Sequence, residues 1–157
     1  MVTNFTKLAK KIGETLQKKK MKLATAESCT GGLVTQIITS IAGSSQWFER
    51  GFITYSNEAK HEMLGVPLEI IRKYGAVSKE TAIAMAQGAL QHSQAQISLS
   101  VTGIAGPRGG TEEKPVGTVW FAIADRDGNI ETFCQHFPGN RQQTREQAAV
   151  YILERLF

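Results

Sequence analysis

The period of the apolar positions changes repeatedly along the chain. Leu8, Ile12 and Leu16 recur every four positions among lysines, the spacing of an amphipathic helix. "KLATA" then reads as a short strand, and from Thr30 onward Leu33, Val34, Ile37, Ile38 and Ile41 make one helical stripe, with Gly43 expected as its C-cap. "SQWFER" reads as a short helical turn and "GFITYS" as the second strand. A helix from about Asn57 stops at Gly65, and "PLEIIRKYG" is opened by Pro67 and closed by Gly75. Ser78 can cap the next helix, "KETAIAMAQGAL".

"AQISLSVTG" is a third strand running into the glycine-rich "GIAGPRGGTEEKPVG". The β-rich runs "GTVWFAIAD" and "NIETFCQHF" flank "RDG" and predict an antiparallel hairpin, and a last helix begins near Asn140 and runs through Ala148, Ala149 and Ile152. Strands separated by helices predict an α/β fold. It is a three-layer α/β/α sandwich with a mixed, mainly parallel sheet of about five strands, in which the late hairpin adds one reversed strand. "ESCTGG", "YSNEAK", "TGIAG" and "PGNRQQTR" each follow the C-terminal end of a predicted strand, where open α/β sheets place ligands. Four stretches distant in sequence are thereby expected at one rim.

Composition narrows the class. The 157 residues fit one domain over 1–157, and 41% hydrophobic and 20% charged residues describe an ordinary globular chain. No apolar stretch approaches the ~20 residues that span a bilayer, and no signal-peptide core is present, so the expectation is a cytoplasmic protein without membrane association. Cys29 and Cys134 have no metal-binding spacing, and the three histidines form no HExxH, which argues against a metal centre. The net charge of +4 is concentrated in "KLAKKIGETLQKKKMK". That stretch could attract nucleic acid, but the four-residue apolar spacing favours a solvated helix face.

Ser28 lies where a strand gives way to a helix, beside backbone N–H groups and the positive end of the helix dipole, which can stabilise an oxyanion or hold a phosphate. Gly31 and Gly32, each about 0.8 to 1 kcal/mol worse than alanine in a helix, suggest close approach to the backbone. An equally simple account makes Ser28 or Thr30 an N-cap and gives the glycines a packing role. Cys29 is the rival nucleophile, although adjacent residues on an extended segment point oppositely.

No Gx-Ser-xG elbow or triad histidine accompanies Ser28, so a base must come from elsewhere. Lys60, about one helical turn beyond Tyr55, is the candidate for a serine/lysine pair, with Tyr55 orienting or relaying the proton. A lysine of pKa about 10.4 is neutral in only ~1 molecule in 2,500 at pH 7. Lowering that value by roughly three units takes about 4 kcal/mol, which burial can supply; otherwise Lys60 is a solvated helix lysine and His61 a surface neighbour. The glycine-rich loop matches neither GxxxxGK[ST] nor GxGxxG. Arg141 and Arg145, four apart on the last helix, are either a phosphate clamp or solvated arginines.

"AESCTGG", "GSSQWFERGFITYSNEAK", "GAVS", "GIAGPRGGTEEKPVGTVWFA" and "GNRQQTREQA", in this order, resemble the CinA C-terminal domain family over about residues 5 to 157. Its stand-alone members are nicotinamide mononucleotide deamidases. The family's larger N-terminal domain, similar to molybdopterin-binding proteins, has no counterpart in these blocks, so the single-domain form is expected. The resemblance implies hydrolysis of the carboxamide of nicotinamide mononucleotide to nicotinate mononucleotide and ammonia, in pyridine nucleotide recycling. It implies no cofactor, no metal and a homodimer.

On the matching positions, the resemblance makes Ser28 the nucleophile, Lys60 the base and Tyr55 its assistant. Gly31, Gly32, Thr102 and Gly103 would supply backbone donors, and Arg141, with Arg145, Glu27 and Thr30, would serve substrate binding. The competing reading is a non-catalytic nucleotide-binding or competence-associated interaction module, which would use the basic first helix. Hydrolysis of a different nucleotide amide by the same site is a third.

Overall fold

A computed structural model describes residues Val2–Phe157. The chain runs α1 (Val2–Lys18), β1 (Leu23–Glu27), α2 (Leu33–Thr39), a 3-10 turn (Ser44–Gln46), β2 (Phe48–Ile53), α3 (Asn57–Leu64), α4 (Leu68–Tyr74) and α5 (Lys79–Gln91). It continues through β3 (Ile97–Gly103), β4 (Thr118–Asp125), β5 (Ile130–His136) and α6 (Arg141–Arg155). The five strands form one sheet in the order β2-β1-β3-β4-β5. β1 pairs in parallel with β2 and β3, whereas β4 runs antiparallel to both β3 and β5. β4 is therefore the one reversed strand, as the hairpin pattern predicts.

Residue size alternates across the sheet and decides what packs on each face. Leu23, Leu99, Val101, Phe121 and Ile123 point to one side, where they join Ile12 and Leu16 of α1, Val34 and Ile38 of α2, and Ile152 of α6. The opposite face carries small residues: Ala24, Ala26, Ser98, Ser100, Ala122 and Ala124. Helix α5 can therefore lie close to the strands, and Ser98 and Ser100 donate their hydroxyl hydrogens to its Ala86 and Ala82 carbonyls at 2.7 and 2.6 Å. These bonds satisfy buried hydroxyls that would otherwise each cost about 1 to 3 kcal/mol.

Ser78 caps α5 by accepting from Thr81 N–H at 3.2 Å, and Asn140 and Gln143 form a capping box at the start of α6. Gly65 and Gly75 close α3 and α4 as the pattern predicts. In α1 the buried Ala9, Ile12 and Leu16 face the core while Lys7, Lys10, Lys11 and Lys18 to Lys20 are exposed, so the basic stretch is the solvated face of a packed helix. Among the described residues no helix is long and apolar enough to cross a membrane.

Two local expectations are corrected. Helix α2 begins at Leu33 rather than Thr30, because Gly31 and Gly32 have φ of +57° and +103°, outside the helical region. It ends with Ser40 as its C-cap, and Gly43 instead precedes the 3-10 turn. In "SQWFER" the helical turn covers only Ser44–Gln46. Phe48 already pairs with Leu23, so sheet pairing claims residues that local preference gave to the turn.

Candidate active site

Strands β1, β2 and β3 end together at one rim, and the turns that follow them carry the polar residues. The turn after β1 is built from inside by Glu27. Its fully buried carboxylate accepts from Thr30 Oγ1 (2.6 Å), Gly32 N (3.2 Å) and Val34 N (2.9 Å) on one oxygen. Its other oxygen accepts from Thr35 N (2.9 Å) and Thr35 Oγ1 (2.7 Å). A carboxylate at the N-terminus of α2 meets both its free N–H groups and the positive end of its dipole. Glu27 and Thr30 are thus saturated by their own chain, and neither presents a polar side-chain atom for substrate as the resemblance suggested. Gly31 N–H is likewise occupied, donating to Ser28 O at 3.0 Å. With Gly32 N–H held by Glu27, both glycine N–H groups are engaged within the turn.

Above this turn, Ser28 meets Lys60. Ser56 caps α3 by accepting from Ala59 N–H at 3.0 Å, and Lys60 sits in the first turn of that helix. Long helical side chains lean toward the helix N-terminus, so Lys60 reaches back to the residues that end β2. Its Nζ lies 2.9 Å from Ser28 Oγ, 3.0 Å from Thr54 O and 3.1 Å from Tyr55 O. Lys60 is 1% exposed. Burial pushes its pKa down from 10.5 to about 8, opposed by the nearby Cys29 and Glu58. Among the described residues the one ion pair joins Arg50 to Glu49, so no carboxylate neutralises the buried amine.

The three contacts orient the amine. Backbone carbonyls only accept, so Nζ donates to Thr54 O and Tyr55 O as well as to Ser28 Oγ, and the Ser28 hydroxyl donates in turn to Tyr55 O at 3.4 Å. Sequence reasoning missed Thr54, because its contribution is a carbonyl and no residue type signals one. Cys29 differs sharply from its neighbour. It is buried among the core residues, and that burial raises its thiol pKa to about 12. A thiol in that state supplies almost no thiolate at neutral pH.

Tyr55 is divided between two jobs. Its backbone carbonyl holds Lys60, while its largely exposed phenol oxygen accepts from Arg141 Nη2 at 2.9 Å. The expected phenol relay to Lys60 is therefore not the arrangement in the structure. Arg141 also donates through Nη1 to Gly106 O at 2.8 Å, tying α6 to the glycine-rich loop and to the β2–α3 turn. Thr102 pairs with Trp120 of β4, and its hydroxyl donates to Ala76 O at 2.8 Å. Ile104 N–H donates to Thr118 O on β4 at 2.9 Å. Strand alternation then turns Gly103 N–H to the β1 side, past the end of β1, where Ser28 O is already taken.

A cavity of about 180 Å³ opens here, lined by Ser28, Tyr55, Asn57, Lys60, Gly103 and Arg141 among others. Asn57 is a residue that sequence reasoning passed over. It is exposed in the first turn of the helix that carries Lys60, and its only visible signal was its place inside "YSNEAK". Arg145 does not line the cavity. His61 Nδ1 lies 2.9 Å from Val66 O, a contact at the end of α3.

The chain is similar to known proteins over almost its whole length. The chain is 53% identical over 147 residues to nicotinamide-nucleotide amidohydrolase PncC of Enterobacter agglomerans, covering 94% of this chain and 90% of that protein. It is 51% identical over 155 residues to PncC of Escherichia coli K12, covering 99% and 94%. A putative competence-damage inducible protein of Caldicellulosiruptor bescii is 52% identical over 143 residues, which are 89% of this chain and 34% of that longer protein. Among solved structures, the competence/damage inducible protein CihA of Agrobacterium tumefaciens superposes with a TM-score of 0.94 at 44% identity, covering 97% of this chain and 93% of that one. The CinA C-terminal domain model matches residues 5–157, and the chain belongs to that family.

Proposed function

We propose that the chain hydrolyses the carboxamide of nicotinamide mononucleotide, giving nicotinate mononucleotide and ammonia, with Ser28 as nucleophile and Lys60 as base. The observation that carries this reading is the Lys60 amine 2.9 Å from Ser28 Oγ, buried, unpaired with any carboxylate and held by two carbonyls. The two PncC relatives are nicotinamide-nucleotide amidohydrolases, which supports the substrate class.

Neutral Lys60 takes the Ser28 proton as Oγ attacks the carboxamide carbon, moving the carbonyl π electrons onto oxygen. Gly103 N–H is a donor for that oxyanion. Collapse of the tetrahedral intermediate breaks the C–N bond, Lys60 returns its proton to the departing nitrogen, and ammonia leaves an ester on Ser28. Water, deprotonated by the same amine, adds to the ester carbon; the C–Oγ bond then breaks, Lys60 returns the proton to Ser28 Oγ, and the acid is released. The buried, high-pKa thiol of Cys29 favours serine over cysteine in this role.

The cavity of about 180 Å³ is below the roughly 300 Å³ at which pockets enclose drug-sized ligands. It suits the pyridine carboxamide head, with the ribose 5'-phosphate lying outward toward Arg141, whose fork matches phosphate oxygens. The test is ammonia release from the mononucleotide by purified protein in the presence of a chelator. Release that Ser28→Ala abolishes and Cys29→Ala preserves is the expected result. No release by the wild type, or undiminished release by Ser28→Ala, overturns the proposal.

A further inference from the structure

Arg145 sits on α6 one turn beyond Arg141, but its guanidinium faces the turn that carries Ser28. Nε donates to Cys29 O at 3.2 Å, Nη2 to Thr30 O at 3.0 Å, and Nη1 to Gln142 Oε1 at 3.3 Å. One planar fork thus grips two successive peptide carbonyls from 116 and 115 residues away. In a planar trans peptide the N–H points opposite to the C=O. Fixing Cys29 O and Thr30 O therefore fixes the directions of Thr30 N–H and Gly31 N–H. Gly31 N–H closes the turn on Ser28 O, whereas Thr30 N–H has no acceptor among the described residues. Glu27 holds the same turn from the other side through Thr30 Oγ1 and Gly32 N.

Gly31 has φ +57°, a backbone conformation that favours glycine, and a Cβ there would rest in ordinary contact with Arg145 Nη2 at 3.5 Å. A lysine at 145 could not replace the grip, because a single ammonium does not reproduce the fixed fork that reaches both carbonyls.

We infer that Arg145 is a positioning residue for the nucleophile turn, and not a ligand of the substrate phosphate. Through the Cys29 and Thr30 carbonyls it sets the two peptide planes that follow Ser28, and with them the seat of the Ser28 side chain and the direction of the Thr30 N–H, while Gly31 N–H stays on Ser28 O. Its positive charge lies behind those peptides. The inference rests on the serine/lysine reading for its catalytic consequence, but the grip on the turn stands on geometry alone.

Two measurements on the full chain test it. In the first, kcat and KM for nicotinamide mononucleotide are determined separately for the wild type, Arg145→Ala and Arg145→Lys. The expected result is a kcat lower by roughly 10- to 100-fold in Arg145→Ala, with KM changed less than about threefold, and only partial recovery in Arg145→Lys. A rise in KM with kcat preserved marks a phosphate ligand and overturns the inference. In the second, 1H–15N spectra follow the Thr30 and Gly31 amides. Their resonances should move in Arg145→Ala while those of β4 stay in place. Unmoved amides overturn the inference whatever the kinetics show, and a folded wild type that releases no ammonia while these amides still respond defeats the serine/lysine reading and leaves the grip intact.

Discussion

Lys60 Nζ and Ser28 Oγ lie 2.9 Å apart although 32 residues separate them in sequence. The pair is made by two different elements, the turn after β1 and the first turn of α3, which the sheet brings to one rim. The state of the amine follows from its surroundings. The carbonyls of Thr54 and Tyr55 accept hydrogen bonds but bring no full negative charge, so burial dominates and the ammonium form is disfavoured.

The first prediction concerns pH. Burial lowers the Lys60 pKa from 10.5 to about 8, so the neutral base appears as pH rises through that value. The kcat/KM profile for ammonia release should climb between about pH 7 and 9 and level off above it. The same shift affects stability with a definite sign. Between about 8 and 10.5 the unfolded chain binds more protons at this site than the folded one, so this contribution to stability grows as pH rises through that window. Lys60→Arg, which cannot deprotonate, should reduce turnover by at least roughly a thousandfold. A flat rate profile from pH 6 to 10 would argue that Lys60 is not the base.

Cys29 should be chemically quiet. The residue is 5% exposed and its thiol pKa is pushed up to about 12 by burial. Titration of the native protein with a thiol-reactive dye should label Cys29 only as the chain unfolds. Cys29→Ala should retain most of wild-type kcat, with a stability loss of about 1 to 2 kcal/mol from the small cavity left in the core. Rapid native labelling that also stops ammonia release would point to the thiol as nucleophile.

Glu27→Gln keeps size and shape but replaces one acceptor oxygen with a donor nitrogen. Either rotamer sets that nitrogen against N–H or O–H groups that now donate to the carboxylate. Equilibrium unfolding should report a loss of roughly 3 kcal/mol, because buried donors are left without acceptors. Turnover should fall with it, since the same contacts hold the turn that presents Ser28. An unchanged denaturation midpoint would mean that the carboxylate does not brace the turn.

Tyr55 and Arg141 should separate in steady-state kinetics. The amine is held by the Tyr55 carbonyl, while among the described residues the phenol oxygen bonds to Arg141 alone. Tyr55→Phe is therefore expected to keep kcat within about threefold. Arg141→Ala, which removes the guanidinium lining the cavity, should raise KM for the mononucleotide by roughly tenfold or more. Collapse of kcat in Tyr55→Phe would restore the phenol as a proton relay.

Much of the fold is encoded locally. The four-residue stripe of α1, the glycines that close α3 and α4, the Ser78 and Asn140 caps and the alternation within β1, β3 and β4 each depend on residues within a few positions of one another. Such patterns act through backbone conformation, capping bonds and side-chain periodicity, so the sequence by itself determined the layered α/β/α plan and the rim that gathers four polar stretches. It left errors where a distant partner outbids local preference, as where Leu23 draws Phe48 into the sheet.

What only the tertiary structure decided is chemical state and partnership. A lysine in "YSNEAK" is a solvated cation or a buried base depending on whether Ser28, Thr54 and Tyr55 enclose it. Arg141 and Arg145 look equivalent one turn apart, yet one lines the cavity and the other grips the Cys29 and Thr30 carbonyls. The physical reason is that desolvation and hydrogen-bond satisfaction depend on every group packed around a side chain. Those groups arrive from segments far apart in the chain, beyond the reach of any local pattern.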